Sequence, residues 1–255
     1  MSIVSVDINE GVAHVQMNAA HNGNALSDAM VSELTTILRQ VDQNPQVRSI
    51  MLSAAGKNFC AGGDLNDFRA AQSKPLEQGY RDIEPSMALF SFGLKIRTPI
   101  VAAVGGASRG GGLGLIAMAH VAVARPDATF ALPEVKLGLF PFGIFPLLSR
   151  AMGPRRTLEL ALSSRVFGAD DALAYGLIHQ VSDDVQGSAE EIAIMLASRS
   201  NLAISTGLEA FNHLTDPGSW PFDYVGLLRL LTFKSEALAQ NVERFLHPHQ
   251  QYPDD

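Results

Sequence analysis

Glu134 is the residue whose surroundings most favour proton-transfer chemistry. It follows a β-rich run and Pro133, and residues 135–145 are apolar or glycine except for Lys136. Burial in an apolar pocket raises the pKa of a carboxyl group toward neutrality, where the group can both take and return a proton. Glu134 is therefore a candidate acid/base, and a solvated glutamate at a strand end is the alternative.

Two glycine-rich segments, residues 61–63 and 110–112, offer backbone donors. Glycine lets a substrate approach the main chain, and N–H groups at a helix N-terminus carry partial positive charge. Gly111 at the start of a helix and a second N–H from residues 62–63 would together form an oxyanion hole. The alternative is that these glycines only permit tight turns and close packing.

Two further patterns suggest other chemistries. Residues 106–110 match G-x-S-x-G, the nucleophile elbow of serine hydrolases, but none of the downstream histidines lies in a distinctive context. Residues 112–117 match the G-x-G-x-x-A turn of dinucleotide-binding folds, but they begin some seven residues after the predicted strand ends. Cys60 lies in an apolar context that predicts a packed side chain, and Asp64 is predicted to cap a helix.

The elements around these residues alternate between strand and helix. Two strand, glycine loop and helix units follow one another, which predicts an α/β architecture, and a helical C-terminal part follows. Predicted strands cover residues 3–8, 12–17, 47–53, 99–104, 121–124, 129–132 and 178–181. Predicted helices start after Ser27 and cover residues 113–120, 154–163, 189–199 and 223–245, with a glycine-rich loop over 105–112.

Composition limits the class of protein. The 255 residues carry 19 Lys and Arg against 26 Asp and Glu, a net charge of −7, and the basic residues are scattered, which argues against a nucleic-acid or anionic-membrane surface. With 47% hydrophobic and 18% charged residues the chain is expected to be globular. A single cysteine, no recognisable targeting signal and no apolar run long enough to span a membrane predict a cytoplasmic, soluble protein.

Four segments in series, residues 24–26, 59–65, 110–112 and 133–139, resemble the signatures of the enoyl-CoA hydratase/isomerase family, or crotonase superfamily. The resemblance implies an α/β fold, a crotonase-like spiral of ββα repeats over residues 1–190. It also implies a C-terminal helical oligomerisation region over residues 191–255 that builds a homotrimer or a dimer of trimers. The four segments together are more specific than any single motif, and they outweigh the serine hydrolase and dinucleotide-binding interpretations.

The resemblance also implies a substrate and the roles of particular residues. The substrate is an acyl-CoA thioester whose carbonyl lies between the N–H groups of Gly63 and Gly111, and no metal or separate cofactor is expected because CoA is part of the substrate. Glu134 is the implied acid/base. The implied substrate-binding residues are Ala25, Leu26, Ala61 and Gly62 along CoA, Phe142 in the acyl pocket and Phe233 against CoA from a neighbouring subunit.

One departure from the family pattern bears on the reaction. Hydratases of this family carry a second glutamate in the helix after the glycine triplet, and here that position is Gly114. A single carboxylate suits double-bond isomerisation, in which one group takes a proton from C2 and delivers it to C4, whereas hydration normally uses two groups. Isomerisation is therefore preferred, with hydration as the alternative and a non-catalytic acyl-CoA-binding protein as the alternative of another class.

Overall fold

A computed structural model describes residues 2–214, 230, 233–234 and 236–247. Ten strands, ten α-helices and two 3₁₀ helices, Ala20–Asn22 and Glu134–Leu137, lie within these residues. The strands are β1 Val4–Asn9, β2 Val12–Met17, β3 Ser49–Ala54, β4 Asn58–Cys60, β5 Ile100–Val104, β6 Ala107–Arg109, β7 Val121–Ala124, β8 Thr129–Ala131, β9 Phe167–Gly168 and β10 Gln180–Val181. The helices are α1 Asp28–Gln43, α2 Leu65–Gln72, α3 Leu76–Phe92, α4 Gly111–Met118, α5 Phe145–Met152, α6 Pro154–Ser163, α7 Ala169–Ala174, α8 Val185–Ala197, α9 Asn201–Leu214 and α10 Glu236–Leu246.

The chain forms two sheets and passes repeatedly from one to the other. The larger sheet has the order β1-β2-β3-β5-β7-β10, antiparallel between β1 and β2 and parallel thereafter. The smaller sheet has the order β4-β6-β8-β9. In each of the pairs β3/β4, β5/β6 and β7/β8, the first strand belongs to the larger sheet and the second to the smaller one. The chain therefore winds as a spiral of repeated turns. The α/β fold predicted from the sequence is confirmed.

Side-chain caps set where the helices near the glycine loops begin. Ser27 accepts a hydrogen bond from the Met30 N–H at 3.2 Å, and Asp64 accepts one from the Asn66 N–H at 2.8 Å. Both residues are therefore N-caps, as predicted, because they satisfy N–H groups that lack intrahelical partners. The buried face of α1 then packs on the sheets through Met30, Val31, Leu34, Leu38 and Val41.

Three apolar clusters hold the described residues together. The main cluster fills the space between the sheets, α1 and α4. A second lies on the other face of the larger sheet, where Val185, Ala189 and Ala193 of α8 pack on Val12, Met51 and Val101. In the third, Leu238 and Val242 of α10 pack against the segment around α2, α3 and Leu139. The C-terminal helix thus folds back onto α2, α3 and the segment that follows Glu134.

The predicted boundaries differ from the observed ones where short elements meet glycine. Residues 105–112 were predicted as one loop, but Ala107–Arg109 is β6, which pairs with both β4 and β8. The helix expected from residue 113 begins at Gly111. The helix predicted over 223–245 falls partly outside the described residues, and the proposed boundary at residue 190 lies within α8 and stays a prediction. In the portion of the chain that is described, no helix is both long and apolar enough to cross a membrane.

Candidate active site

The loop after β4 brings four of the predicted CoA-binding residues into one corner. The Ala61 N–H donates to the Gly23 carbonyl at 2.9 Å, and the Leu26 N–H donates to the Gly62 carbonyl at 2.7 Å. Gly62 has φ +94°, a conformation that L side chains rarely adopt. Ala25 and Leu26 therefore lie beside Ala61 and Gly62, and their contact with CoA stays a prediction.

The turn from β6 into α4 carries Gly111, whose N–H is one of the two predicted oxyanion-hole donors beside that of Gly63. The Gly110 N–H donates to the Ala131 carbonyl at 3.0 Å, which leaves Gly111 as the first residue of α4. The first N–H groups of a helix have no intrahelical acceptor. Within the described chain, no hydrogen bond engages the N–H of Gly63 or of Gly111. Both groups can therefore donate to a ligand.

Glu134 lies over the start of α4. It is the first residue of a 3₁₀ turn, Glu134–Leu137, which Leu132 and Pro133 connect to β8, and its carbonyl accepts from the Leu139 N–H at 2.9 Å. Its Oε2 atom is buried. A Cβ built on Gly110 would lie only 2.5 Å from Glu134 Oε1. The carboxylate thus occupies the space that a side chain at position 110 would fill.

A cavity of about 70 Å³, called here the acyl cavity after the predicted substrate, joins these groups. Gly63, Gly111 and Glu134 line it, and Glu134 is the one titratable group among the described lining residues. Phe142 lines it too, and its predicted contact with the acyl group stays a prediction. The sequence interpretation missed Phe68, Ser86 and Phe90, which also line it. Apolar positions such as Phe68 and Phe90 have the same pattern whether they face a core or a pocket, and a lone serine on a helix carries no pattern at all. The remaining lining residues are Leu26, Val31, Leu139, Phe140, Pro141, Gly143 and Ile144.

Position 114 is closed to a side chain. Gly114 is buried in α4, and a Cβ there would overlap Ile144 Cγ2 and lie 2.8 Å from Phe90 Cε1. The space that the second glutamate of a family hydratase would enter is filled by these two side chains. Glu77 and Glu84 of α3 are exposed and do not line the acyl cavity.

Phe233 packs within its own chain. It is buried, and its ring centroid lies 5.2 Å from that of Phe68. Both rings line a pocket of about 50 Å³ that also shares Leu26 and Ser86 with the acyl cavity. The structure therefore places Phe233 beside the acyl cavity, and the predicted contact with CoA stays a prediction.

The other candidate chemistries find no support in the geometry. Burial raises the pKa of the Cys60 thiol to about 12, as expected for a packed side chain. Ser108 is buried inside β6 rather than at a strand-to-helix turn, and no described hydrogen bond joins it to a histidine. Among the described residues, no cluster of three His, Cys, Asp or Glu side chains is placed to hold a metal ion.

The arrangement can polarise a carbonyl and move a proton beside it. Two N–H groups that face one cavity can share the charge that develops on a thioester oxygen, and one such donor is worth about 3 kcal/mol in the transition state. A carboxylate in the same cavity can take a proton from the carbon next to that carbonyl. Ser86 is the one other residue of the described lining with a polar side chain, and its hydroxyl donates to the Ile83 carbonyl at 2.9 Å, so little else in the described cavity competes for either role.

Comparison with known proteins gives the family. Residues 7–219 match the family model described as enoyl-CoA hydratase/isomerase. The chain is 31% identical over 236 residues to the probable enoyl-CoA hydratase EchA14 of Mycobacterium tuberculosis, covering 92% of this chain and 91% of the relative. It is 30% identical over 222 residues to the 1,2-epoxyphenylacetyl-CoA isomerase of Escherichia coli, covering 83% of this chain and 82% of the relative.

The fold is that of the same family. The crystal structure of an enoyl-CoA hydratase/isomerase from Mycobacterium paratuberculosis superposes with a TM-score of 0.90 at 22% identity, covering 96% of this chain and 98% of the other. That likeness concerns the fold, whereas the family-model match and the relatives concern the sequence. The chain therefore belongs to the enoyl-CoA hydratase/isomerase family, the crotonase superfamily, and is an enzyme of that type.

Proposed function

We propose that this enzyme isomerises enoyl-CoA thioesters, with Glu134 as the only acid/base and the N–H groups of Gly63 and Gly111 as the oxyanion hole. The observation that carries the proposal is that Glu134 is the one titratable residue among the described residues lining the acyl cavity. The closed space at Gly114 supports it further, because a second glutamate has no room there.

The proposed reaction is a proton transfer from C2 to C4. The Glu134 carboxylate takes a C2 proton from a 3-enoyl thioester, and the electron pair delocalises into a dienolate whose oxygen accepts from Gly63 and Gly111. The protonated Glu134 then returns the proton to C4, which leaves the 2-enoyl thioester and the starting carboxylate. One group suffices because it is the base in the first step and the acid in the second.

Hydration is the second candidate, since relatives of this chain are named as hydratases as well as isomerases. Addition of water requires that a water molecule be oriented and activated beside the double bond. Among the described residues that line the cavity with Glu134, Ser86 alone could share that task, and its hydroxyl already donates to the Ile83 carbonyl. We therefore rank hydration below isomerisation.

Product analysis distinguishes the two reactions. The purified protein is incubated with 3-enoyl-CoA and 2-enoyl-CoA of several chain lengths, and products are identified by mass and absorbance. Isomerisation leaves the mass unchanged, whereas hydration adds the mass of one water. A wild-type hydration rate equal to or above the isomerisation rate would overturn the preference.

Glu134→Gln tests the acid/base and also the non-catalytic alternative. Glutamine keeps the size of the side chain but cannot exchange the proton, so turnover should fall by roughly 10²-fold or more while thioester binding is kept. Glu84→Gln on the exposed face of α3 is the matched control and should retain wild-type turnover. Undiminished activity of Glu134→Gln would remove Glu134 from the mechanism, and an inactive wild type that binds acyl-CoA would favour the binding protein.

The assembly and location expected from the family are part of the same proposal. We propose a homotrimer or a dimer of trimers, with an acyl-CoA thioester as the small-molecule partner, and a cytoplasmic location. Light scattering coupled to size-exclusion chromatography gives the mass of the assembly, and a monomer at all concentrations would contradict the first of these expectations.

A further inference from the structure

A second cavity of about 380 Å³ lies between the end of α4, α5 and α9. It shares no described lining residue with the acyl cavity. Four polar side chains define it: His120, Arg150, His179 and Asn212. The mechanism proposed above uses none of them.

Two histidines of the second cavity have their tautomers fixed by the sheet. His120 Nδ1 accepts a hydrogen bond from the Ile100 N–H at 2.9 Å, and His179 Nδ1 accepts one from the Ala122 N–H at 3.0 Å. A neutral imidazole that accepts at Nδ1 carries its hydrogen on Nε2. Burial lowers the pKa of His120 to about 4, with a smaller contribution from the Arg150 charge, and burial lowers the pKa of His179 as well. Both rings are thus neutral near pH 7 and can donate from Nε2.

Arg150 and Asn212 add further donors. Arg150 Nη2 donates to Asn212 Oδ1 at 2.9 Å, and the guanidinium carbon lies 4.2 Å from the centroid of the Phe211 ring. The hydrogen bond uses the amide oxygen of Asn212, so its NH₂ group remains as a donor. None of the described residues that line the second cavity is acidic. Its polar side chains therefore suit a ligand that only accepts hydrogen bonds and carries negative charge.

The rest of the second cavity is apolar. Leu94, Ile116, Leu147, Leu177 and Leu208 line it together with Phe211. Sites for small molecules typically have volumes of about 300–1,000 Å³ and apolar walls with a few convergent polar groups. The second cavity has these properties.

We propose that the second cavity binds a small monocarboxylate with an apolar body. The carboxylate oxygens accept from the Arg150 guanidinium and from Nε2–H of His120 and His179, and the hydrocarbon part lies among the leucine side chains. Arginine suits this ligand because its planar donors match the two oxygens of a carboxylate.

Isothermal titration calorimetry of the full chain at pH 7 tests the proposal, with hexanoate as the probe and hexanamide as its uncharged analogue. We expect saturable binding of hexanoate and at least about tenfold weaker binding of hexanamide, since hydrogen bonds to charged groups are stronger than neutral ones. Glu134→Gln should bind hexanoate as the wild type does, because the acyl cavity is a different site.

Two variants locate the binding. Arg150→Met keeps a long side chain over Phe211 but removes the charge, and His179→Asn keeps an acceptor near the Ala122 N–H but removes the Nε2–H donor. Each should weaken hexanoate binding by about tenfold or more. Arg81→Met, at an exposed pair with Glu77, is the control and should leave binding unchanged. If Arg150→Met does not fold, His179→Asn decides alone. His179 is the more exposed of the two substituted residues.

Four results would overturn the proposal. The first is the absence of saturable binding, and the second is equal binding of hexanoate and hexanamide. The third is binding that both folded variants retain in full, which would assign the probe to another site. A change in oligomeric mass caused by either variant would show instead that this face lies between copies of the chain, and that too would overturn it.

Discussion

Gly110→Ala tests whether turnover depends on the position of the Glu134 carboxylate, and the effect on turnover can be told apart from the effect on stability. The added methyl group would lie 2.5 Å from Glu134 Oε1, about 0.9 Å short of an ordinary contact of 3.4 Å. The carboxylate must move by roughly that distance, because Gly110 is held by its hydrogen bond to Ala131 and by the start of α4. A misplacement of about 1 Å at a reacting group can cost about 10²-fold in rate.

The same substitution also strains the backbone. Gly110 has φ +47° and ψ −116°, a conformation that costs a residue with a Cβ about 1–3 kcal/mol. For a chain of this size that corresponds to a fall in Tm of about 2–4 °C for each kcal/mol. Gly110→Ala should therefore lower kcat by about 10²-fold and lower Tm by several degrees.

Gly153→Ala is the matched control. Gly153 has φ +79°, but a Cβ there would meet nothing within 4 Å. The Gly153→Ala variant should lose about as much stability as Gly110→Ala and keep the wild-type kcat for enoyl-CoA. Steady-state kinetics and thermal melts of both variants give the comparison. A folded Gly110→Ala with wild-type kcat would refute the reasoning that the space above Gly110 is needed by the catalytic carboxylate.

Three further predictions follow from the glycines of α4 and from His120. Proline is tolerated at the first position of a helix, so Gly111→Pro should fold once Leu26 Cδ1 adjusts to the new side chain. It should lose about 3 kcal/mol of transition-state stabilisation, measured as kcat/KM, because the N–H donor is deleted; unchanged kcat/KM would exclude that donor. Gly114→Glu should lower the free energy of unfolding by about 1–3 kcal/mol and yield no 3-hydroxyacyl-CoA, since Ile144 and Phe90 fill the space, and wild-type stability in urea would contradict this. Burial lowers the pKa of His120 to about 4, so the unfolded state takes up a proton below pH 6.5 while the folded state does not. The stability contributed by neutral His120 is therefore lost as pH falls from 6.5 toward 4, by about 2 kcal/mol between pH 7 and pH 5, and urea unfolding of His120→Asn should lack this loss.

Local patterns predicted the elements that have a distinct period or cap. The hairpin of β1 and β2 alternates apolar and polar residues, and α6 begins at Pro154 as expected for proline in a first helical turn. The strand β6 was missed because three residues between glycines carry no periodicity. Only its pairing with β4 and β8, which are distant in sequence, makes it a strand.

The site was predictable to the extent that it is built from short motifs. Gly63, Gly111 and Glu134 lie in motifs, and the structure brings all three to one cavity. Phe68 and Phe90 lie on helices whose apolar faces also serve the core, so their sequence pattern cannot say which part of a face meets a substrate. Phe233 packs against Phe68 of the same chain, a long-range contact that no local pattern shows, and its predicted contact with CoA of a neighbouring subunit stays a prediction.

The packing around Gly114 constrains how this chain can change in evolution. A second glutamate at position 114 is one substitution in sequence terms, but Ile144 and Phe90 already occupy its space. Each of those side chains is also part of the main apolar cluster, so shortening one before the glutamate arrives would leave a void. The intermediate steps in either order carry a stability cost, and the effects of the substitutions depend on one another. Acquisition of two-carboxylate chemistry is therefore a coordinated change of several residues, separated from the present sequence by less stable intermediates.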